Sequence, residues 1–227
     1  IKLGVPEVTA GAAGAQFGLN AGNKVDPKVY WQALADDINS RGGVLGRKLV
    51  LDFVNVDLTD SSSAPAACVK WTEDDKVFAV VSSQGFFGPP VLCVTQQHQT
   101  PFFSDDGQLD EYYAQSGGLL FTTAEGKHRI LRNFADWLDR NGVLRGRKIG
   151  VLDSAGFDHI PVAEAFLPAL KRLGYKITDE ESISQTDLSV IPSQISVAVQ
   201  NMRAKGVDLV VGVNNLLFQS IFVQDAE

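Results

Sequence analysis

Residues 30–57 constrain the fold more than any other stretch of this chain. They read as an amphipathic helix, then Asn39-Ser40-Arg41-Gly42-Gly43-Val44-Leu45-Gly46-Arg47-Lys48, then an apolar strand. Tyr30, Ala33, Leu34 and Ile38 fall at i, i+3, i+4 and i+8, one face of a helix with about 3.6 residues per turn. Gly42 and Gly43 tolerate the positive φ that ends such a helix, and Gly46 allows a second turn. The run Leu49-Val50-Leu51-Asp52-Phe53-Val54-Asn55-Val56-Asp57 has the branched, mostly apolar character of a buried strand. A helix returning through a tight glycine turn to a buried strand is half of a βαβ crossover. The fold class predicted is therefore α/β with parallel sheets.

The alternation continues along the chain. Residues 1–5 form a first strand, followed by a loop of small residues over 9–18. Asp26 is placed to cap a helix with Pro27 in its first turn. Helices are expected over 61–73 and 89–97, with strands over 77–81, 101–103 and 119–122. A helix then presents Ile130, Phe134, Trp137 and Leu138 on one face, and 148–153 is the next strand. Ala163, Phe166, Leu167, Leu170 and Leu173 mark a further helix, with a strand near 175–178. Pro192 opens a helix with Ile195, Val199 and Met202 inward, and 207–213 is the last clear strand. The residues from Arg140 to Lys148 repeat the punctuation of those from Arg41 to Lys48. That restart predicts an N-terminal α/β lobe over 1–124 and a second, incomplete lobe over 125–227, which stops inside a helical pattern.

A formal net charge of −7 argues against a nucleic-acid partner, whose footprint is a basic patch. Arg145-Gly146-Arg147-Lys148, the densest basic stretch, reads as a solvated turn before a strand. No apolar run approaches the roughly 20 residues of a membrane-spanning helix, so direct membrane insertion is not expected. Ile1 opens directly on a strand, as expected if the numbering begins after a removed signal sequence. Cys68 and Cys93 fit neither a metal cluster nor a CxxC redox motif. Two buried thiols and a single bridge between neighbouring helices are equally compatible with their spacing. His98, His128 and His159 lack metal-ligand spacing and are expected at the surface or at helix ends, so neither a metal nor a cofactor is anticipated.

The strand Ile1-Lys2-Leu3-Gly4-Val5 with its small-residue loop, and Ile38-Asn39-Ser40-Arg41-Gly42-Gly43-Val44-Leu45-Gly46-Arg47-Lys48-Leu49, resemble the type I periplasmic binding proteins of ABC importers. The likeness is greatest to the branched-chain amino acid group. Asp74-Asp75-Lys76-Val77-Phe78-Ala79-Val80-Val81 and Val207-Asp208-Leu209-Val210-Val211-Gly212 follow in the family's order. This resemblance implies two Rossmann-like lobes joined by crossing strands, with a small ligand captured in the cleft by hinge closure. It also implies an ABC permease as partner, a monomer, and a periplasmic or extracellular location, with a lipid anchor in the precursor as one variant. Family members are longer because their chain returns to the first lobe. That return is missing here, so a fragment or a shortened form is expected.

In open parallel sheets the ligand sits beyond the carboxyl ends of the strands, which selects the candidate binding residues. After the third strand come Gln84, Gly85, Phe86 and Phe87, leading into a helix whose first amides are able to hold an anion. Relatives use a serine in this loop to grip an α-carboxylate, and Phe86 or Phe87 stands near that place. Losing a hydroxyl bond to a charged group costs about 1.5–3 kcal/mol, more than the roughly 0.3–1 kcal/mol of a helix terminus. After the fourth strand come Ser104, Asp105, Asp106, Gly107 and Gln108, where Gln108 replaces the threonine of many relatives. A carboxylate about 5 Å from an anionic ligand costs about 3 kcal/mol at an effective dielectric of about 20. A ligand bearing an amine or several donors is therefore expected. From the second lobe the resemblance implies Phe157 as an aromatic lining residue, and Asn214 and Asn215 lie just past the last strand.

The main rival is a nucleotide-dependent oxidoreductase. Gly11-Ala12-Ala13-Gly14-Ala15-Gln16-Phe17-Gly18 follows a first strand but does not match G-x-G-x-x-G, and no P-loop lysine follows. A G-x-S-x-G nucleophile elbow and a Tyr-x-x-x-Lys pair are both absent. The chain is thus read as an extracytoplasmic solute-binding protein and not an enzyme. A ligand-sensing receptor domain of the same fold is the nearer alternative.

Overall fold

A computed structural model describes residues 1–9, 26–57, 60–81, 86, 88–184, 188–213 and 216–226. The chain divides into two compact units, Ile1–Gly126 and Lys127–Glu227. Each is built on a sheet whose strand pairs are all parallel. No helix among the described residues is long and apolar enough to cross a membrane.

In the first unit the strands are β1 (Lys2–Thr9), β2 (Val50–Asp57), β3 (Ala79–Val81), β4 (Phe102–Ser104) and β5 (Leu120–Thr122), in the order β2-β1-β3-β4-β5. Helix α1 (Pro27–Ser40) starts as the residues predict, with Pro27 in the first turn and the Asp26 carboxylate accepting from the Lys28 amide at 2.9 Å. It ends at Gly42 and Gly43, with φ of 100° and 71°. A Cβ on Gly43 would lie 2.2 Å from the Arg47 carbonyl oxygen, so only glycine fits there. Leu45 and Gly46, with φ of 51° and 76°, form the second turn between Val44 and Arg47.

The face that α1 turns inward is not the one the spacing predicts. Ala35 is buried, with Trp31, Ile38 and Asn39 beside it half-buried, whereas Tyr30 (59%) and Leu34 (41%) are exposed. The cause is Asn39, whose side-chain amide donates to the Leu49 carbonyl at 2.9 Å and accepts from the Leu49 amide at 2.7 Å. This two-way bond fixes the rotation of the helix about its axis, and the apolar residues follow.

Opposite α1, the sheet packs against α2 (Ser63–Val69) and α3 (Pro89–Leu92), each prolonged by a π-helical turn, Lys70–Asp74 and Cys93–Gln97. Fully buried Trp71 lies across Gly4, where a Cβ would meet the indole at 2.9 Å, and donates from Nε1 to the Asp52 carbonyl at 3.2 Å. Phe86 lies between Trp71 and Phe102 in tilted contacts, its ring centre 5.6 Å from each. Cys68 and Cys93 form a disulfide joining these two helical segments, so the bridge is the alternative realised. Helix α4 (Asp110–Gln115) follows β4; the sequence reading has no helix there, because six residues are too few to show a period.

The second unit places β6 (Ile149–Ser154) between β7 (Ile177–Ile183) and β8 (Leu209–Val213). One face packs on α5 (Lys127–Arg140) and on the helical stretch α6 (His159–Pro161), Val162–Phe166 and α7 (Leu167–Arg172). The other packs on α8 (Ile191–Ala204) and α9 (Leu216–Ala226). Ile195, Val199 and Met202 point inward as predicted. Ala163 does not; it is exposed, while Val162, Ala165, Phe166, Ala169 and Leu170 are buried. The Val162–Phe166 segment is a wide π turn, which shifts the helical phase from the regular period. On α5 the inward residues are His128, Leu131, Ala135 and Leu138, while Ile130 and Trp137 are exposed.

Candidate functional site

The carboxyl ends of the parallel strands are described in part for each unit. Of the predicted residues, Gln84, Gly85, Phe87, Asn214 and Asn215 lie outside the described residues. Phe86 is described and belongs to the core with Trp71 and Phe102, fully buried.

The β4 loop is tightly organised. Ser104 Oγ accepts from the Asp106 amide at 3.1 Å and donates to the Asp106 carbonyl at 2.7 Å, so the turn closes on the strand's last side chain. Gln108 is fully buried; its backbone amide donates to the Tyr113 hydroxyl at 3.2 Å. That hydroxyl lies 2.9 Å from Thr122 Oγ1, which donates to the Ala124 carbonyl at 3.0 Å, while the Thr123 amide donates to the Ser104 carbonyl at 3.1 Å. The loops after β4 and β5 are thereby one hydrogen-bonded assembly. Asp105 and Asp106 are exposed and Gly107 is buried. Gln108 Nε2 reaches Ser104 Oγ at 3.5 Å, but Gln108 Oε1 is buried without a partner. Unsatisfied buried acceptors are uncommon in folded proteins and each calls for a cause.

In the second unit, β6 ends in Asp153 and Ser154, both fully buried. Asp153 Oδ2 lies 2.7 Å from His159 Nδ1, while Asp153 Oδ1 and Ser154 Oγ are buried without partners. The Ala155 amide donates to the Ile183 carbonyl at 2.8 Å, pinning the start of the loop to β7. Phe157 is half-buried, with Lys127 Nζ 4.5 Å from its ring centre. Lys127 Nζ also donates to Asp158 Oδ1 at 2.8 Å. An ammonium held between a ring face and a carboxylate orients both neighbours of the loop.

The histidines stand at helix ends as expected, yet His128 and His159 are held by carboxylates. His128 is buried, its Nε2 3.1 Å from Glu164 Oε2, and His159 pairs with the buried Asp153. Sequence reasoning weighed the histidines by metal-ligand spacing and placed the loop from Asp153 to Asp158 at a strand end, without pairing Asp153 with His159. The signal was there: an aspartate at the end of an otherwise apolar central strand, six residues before a histidine, needs a partner once the strand is buried.

Three of the five described buried polar atoms without a partner thus cluster at carboxyl ends of strands: Gln108 Oε1 in one unit, Asp153 Oδ1 and Ser154 Oγ in the other. Asp52 Oδ2 and Asp179 Oδ2 lie elsewhere.

No curated protein is significantly similar in sequence. Among solved structures, the chain is similar to a fatty acid ABC transporter substrate-binding protein from Thermomonospora curvata, at 19% identity and a TM-score of 0.71, covering 100% of this chain and 54% of that one. It is also similar to a solute binding protein of an ABC transporter from Rhodopseudomonas palustris BisB5, in complex with 3,4-dihydroxy benzoic acid. There the identity is 16% and the TM-score 0.69, over 99% of this chain and 57% of that one. An ABC transporter substrate-binding protein from Desulfitobacterium hafniense in complex with Leu matches at 17% identity and a TM-score of 0.63, over 100% of this chain and 62% of that one. The chain therefore spans less than two thirds of the length of each of these structures, and at such identities the likeness speaks for the fold. The family described as periplasmic binding protein matches residues 9–219. With that match spanning most of the chain and the two parallel-sheet units in place, the chain belongs to the periplasmic binding protein family.

Proposed function

We propose that this chain serves an ABC importer as its extracytoplasmic solute-binding component, capturing a small polar or amino-acid-like solute by hinge closure and without covalent chemistry. The observation that carries the reading is the pair of buried, unpartnered atoms at carboxyl ends of strands, Gln108 Oε1 in one unit and Ser154 Oγ in the other. Both types of atom accept hydrogen bonds, and a hydroxyl also donates. A solute rich in donors suits atoms of this kind, and exposed Asp105 and Asp106 beside Gln108 favour one that carries an amine. The disulfide between Cys68 and Cys93 suits an oxidising compartment outside the cytoplasm. The permease is the partner that the family role requires. The solved structures named above carry leucine and an aromatic acid, or are named for a fatty acid, so the family's solutes are chemically diverse.

Thermal denaturation of the chain against amino acids, amides, polyamines and aromatic acids tests the reading. A true solute at about 100 times its Kd raises stability by about 2.7 kcal/mol. Ser154→Ala and Asp105→Ala are expected to shrink that gain. If no solute stabilises the chain, or if both variants leave the gain intact, the reading fails.

A further inference from the structure

We infer that Asp153, His159 and Glu180 form a binding site for a divalent transition-metal ion of the Zn²⁺ type on the second unit. One ligand atom from each residue, two carboxylate oxygens and a ring nitrogen, lies within 4.8 Å of the others. The fold brings them together from three elements. Asp153 stands near the end of β6, and Glu180 on β7 pairs with Val151, two residues before Asp153, so the two acidic side chains leave the sheet on the same face. His159 opens α6 and sets Nδ1 2.7 Å from Asp153 Oδ2.

Charge and burial supply the independent argument. Asp153 is fully buried and its Oδ1 has no hydrogen-bond partner. Neither Asp153 nor Glu180 is ion-paired with a lysine or arginine among the described residues. With a neutral imidazole the three groups carry two negative charges, one of them removed from water, and a dication neutralises both. Atoms bound to one such ion at about 2.1 Å stand roughly 3–4.2 Å apart. Exposed Glu180 has the rotamer freedom to close the remaining few tenths of an ångström. The proton shared by His159 Nδ1 and Asp153 Oδ2 is released to solvent as the ion enters and the two atoms part slightly. An imidazole with two carboxylates suits Zn²⁺, Co²⁺ or Mn²⁺, whereas Mg²⁺ and Ca²⁺ prefer oxygen ligands alone. Three protein ligands leave at least one position for water. Occupancy would tie the start of α6, and with it the loop bearing Phe157, to the sheet. Cys68, Cys93 and His98 also lie close together, but the disulfide occupies both sulfurs and that group holds no ion.

The test is calorimetric titration of the tag-free, chelator-treated chain with ZnCl₂, repeated with MgCl₂. One equivalent of Zn²⁺ is expected to bind, at least tenfold more tightly than Mg²⁺. Glu180→Gln and His159→Gln should each weaken Zn²⁺ at least tenfold, with circular dichroism confirming their fold, and His98→Gln should leave it unchanged. Co²⁺ in place of Zn²⁺ should give a visible d–d absorption band that His159→Gln alters. Absence of one-equivalent binding, or binding that survives both Glu180→Gln and His159→Gln or is lost in His98→Gln, overturns the site. Solute stabilisation in Ser154 and Asp105 variants is a separate readout, so the two proposals fail independently.

Discussion

The two units solve the same packing problem to different degrees. A parallel sheet is apolar on both faces and needs cover on both. In the second unit, Val151 faces a cluster with Leu131, Ala135, Phe166 and Leu170, while Leu152 on the opposite face joins Ile191, Ile195, Met202 and Phe218. In the first unit, one face is closed by Trp71, Phe86 and the disulfide-linked helices. On the other face α1 lies near β2, with Lys28 Nζ 5.8 Å from the Phe53 ring centre. Phe103 and Phe121, paired across β4 and β5, stack at 4.8 Å yet remain 44% and 46% exposed. Strand composition therefore reports which faces a parallel sheet is made to bury: Val5 and Ala79 are buried on this face too, and it is the β4–β5 edge, at Phe103 and Phe121, that stays half-exposed.

That contrast can be broken by substitution. Phe166→Ala removes a fully buried ring stacked at 5.7 Å on Phe134 and is expected to cost about 3–5 kcal/mol. Phe103→Ala, which loses a half-exposed stack, should cost no more than about 1.5 kcal/mol. Urea denaturation of both variants measures the gap; similar losses would mean that the outer face of β4 and β5 is covered after all.

Next in size is the disulfide, whose cysteines are 25 residues apart. Replacing both by alanine should destabilise the first unit by about 3 kcal/mol through the unfolded chain's regained freedom. Hydrogen exchange should then quicken in residues 26–126 and stay unchanged in 127–226. Equal quickening in both would show that the units unfold as one.

The smallest effect sharpens the electrostatic side. Burial, and then the negative charge of Asp75, raise the Asp52 carboxyl above its ordinary range, while a hydrogen bond from Lys70 lowers Asp75. A raised carboxyl favours the folded state at low pH, and that contribution fades as pH climbs from 3.8 through the folded-state value. Asp75 behaves oppositely, supporting the fold above 3.8 and losing that support as pH falls through its lowered value. Asp52→Asn should therefore raise the melting temperature slightly at pH 7, with the gain shrinking toward pH 4. A loss at pH 7 would contradict the assignment.

Much of this architecture was legible in the residues, and the exceptions share a cause. Asn39 to Arg47 announced helix, turn and strand because glycine's backbone freedom is local chemistry. The Asp26-Pro27 start of α1 was local in the same way. Rotation of helices was not: α1 turns on the side-chain bond between Asn39 and Leu49, ten residues on, and the π turn at Val162–Phe166 displaces Ala163 outward. Pairing of Cys68 with Cys93 stayed open because spacing carries no distance. At the candidate site, Phe86 was expected among the binding residues and is core instead, and the bond between Asp153 and His159 depends on a burial that no local pattern displays.

Trp71 has a practical consequence through its position over Gly4. Its indole is wholly shielded, and Trp137 in the other unit is 51% exposed. A dry indole emits at shorter wavelength than a wet one, so the chain carries an optical marker of its own for the first unit. A red shift on melting reports the opening of the first unit, which holds both Trp71 and half-buried Trp31, because Trp137 of the second unit is already half-exposed.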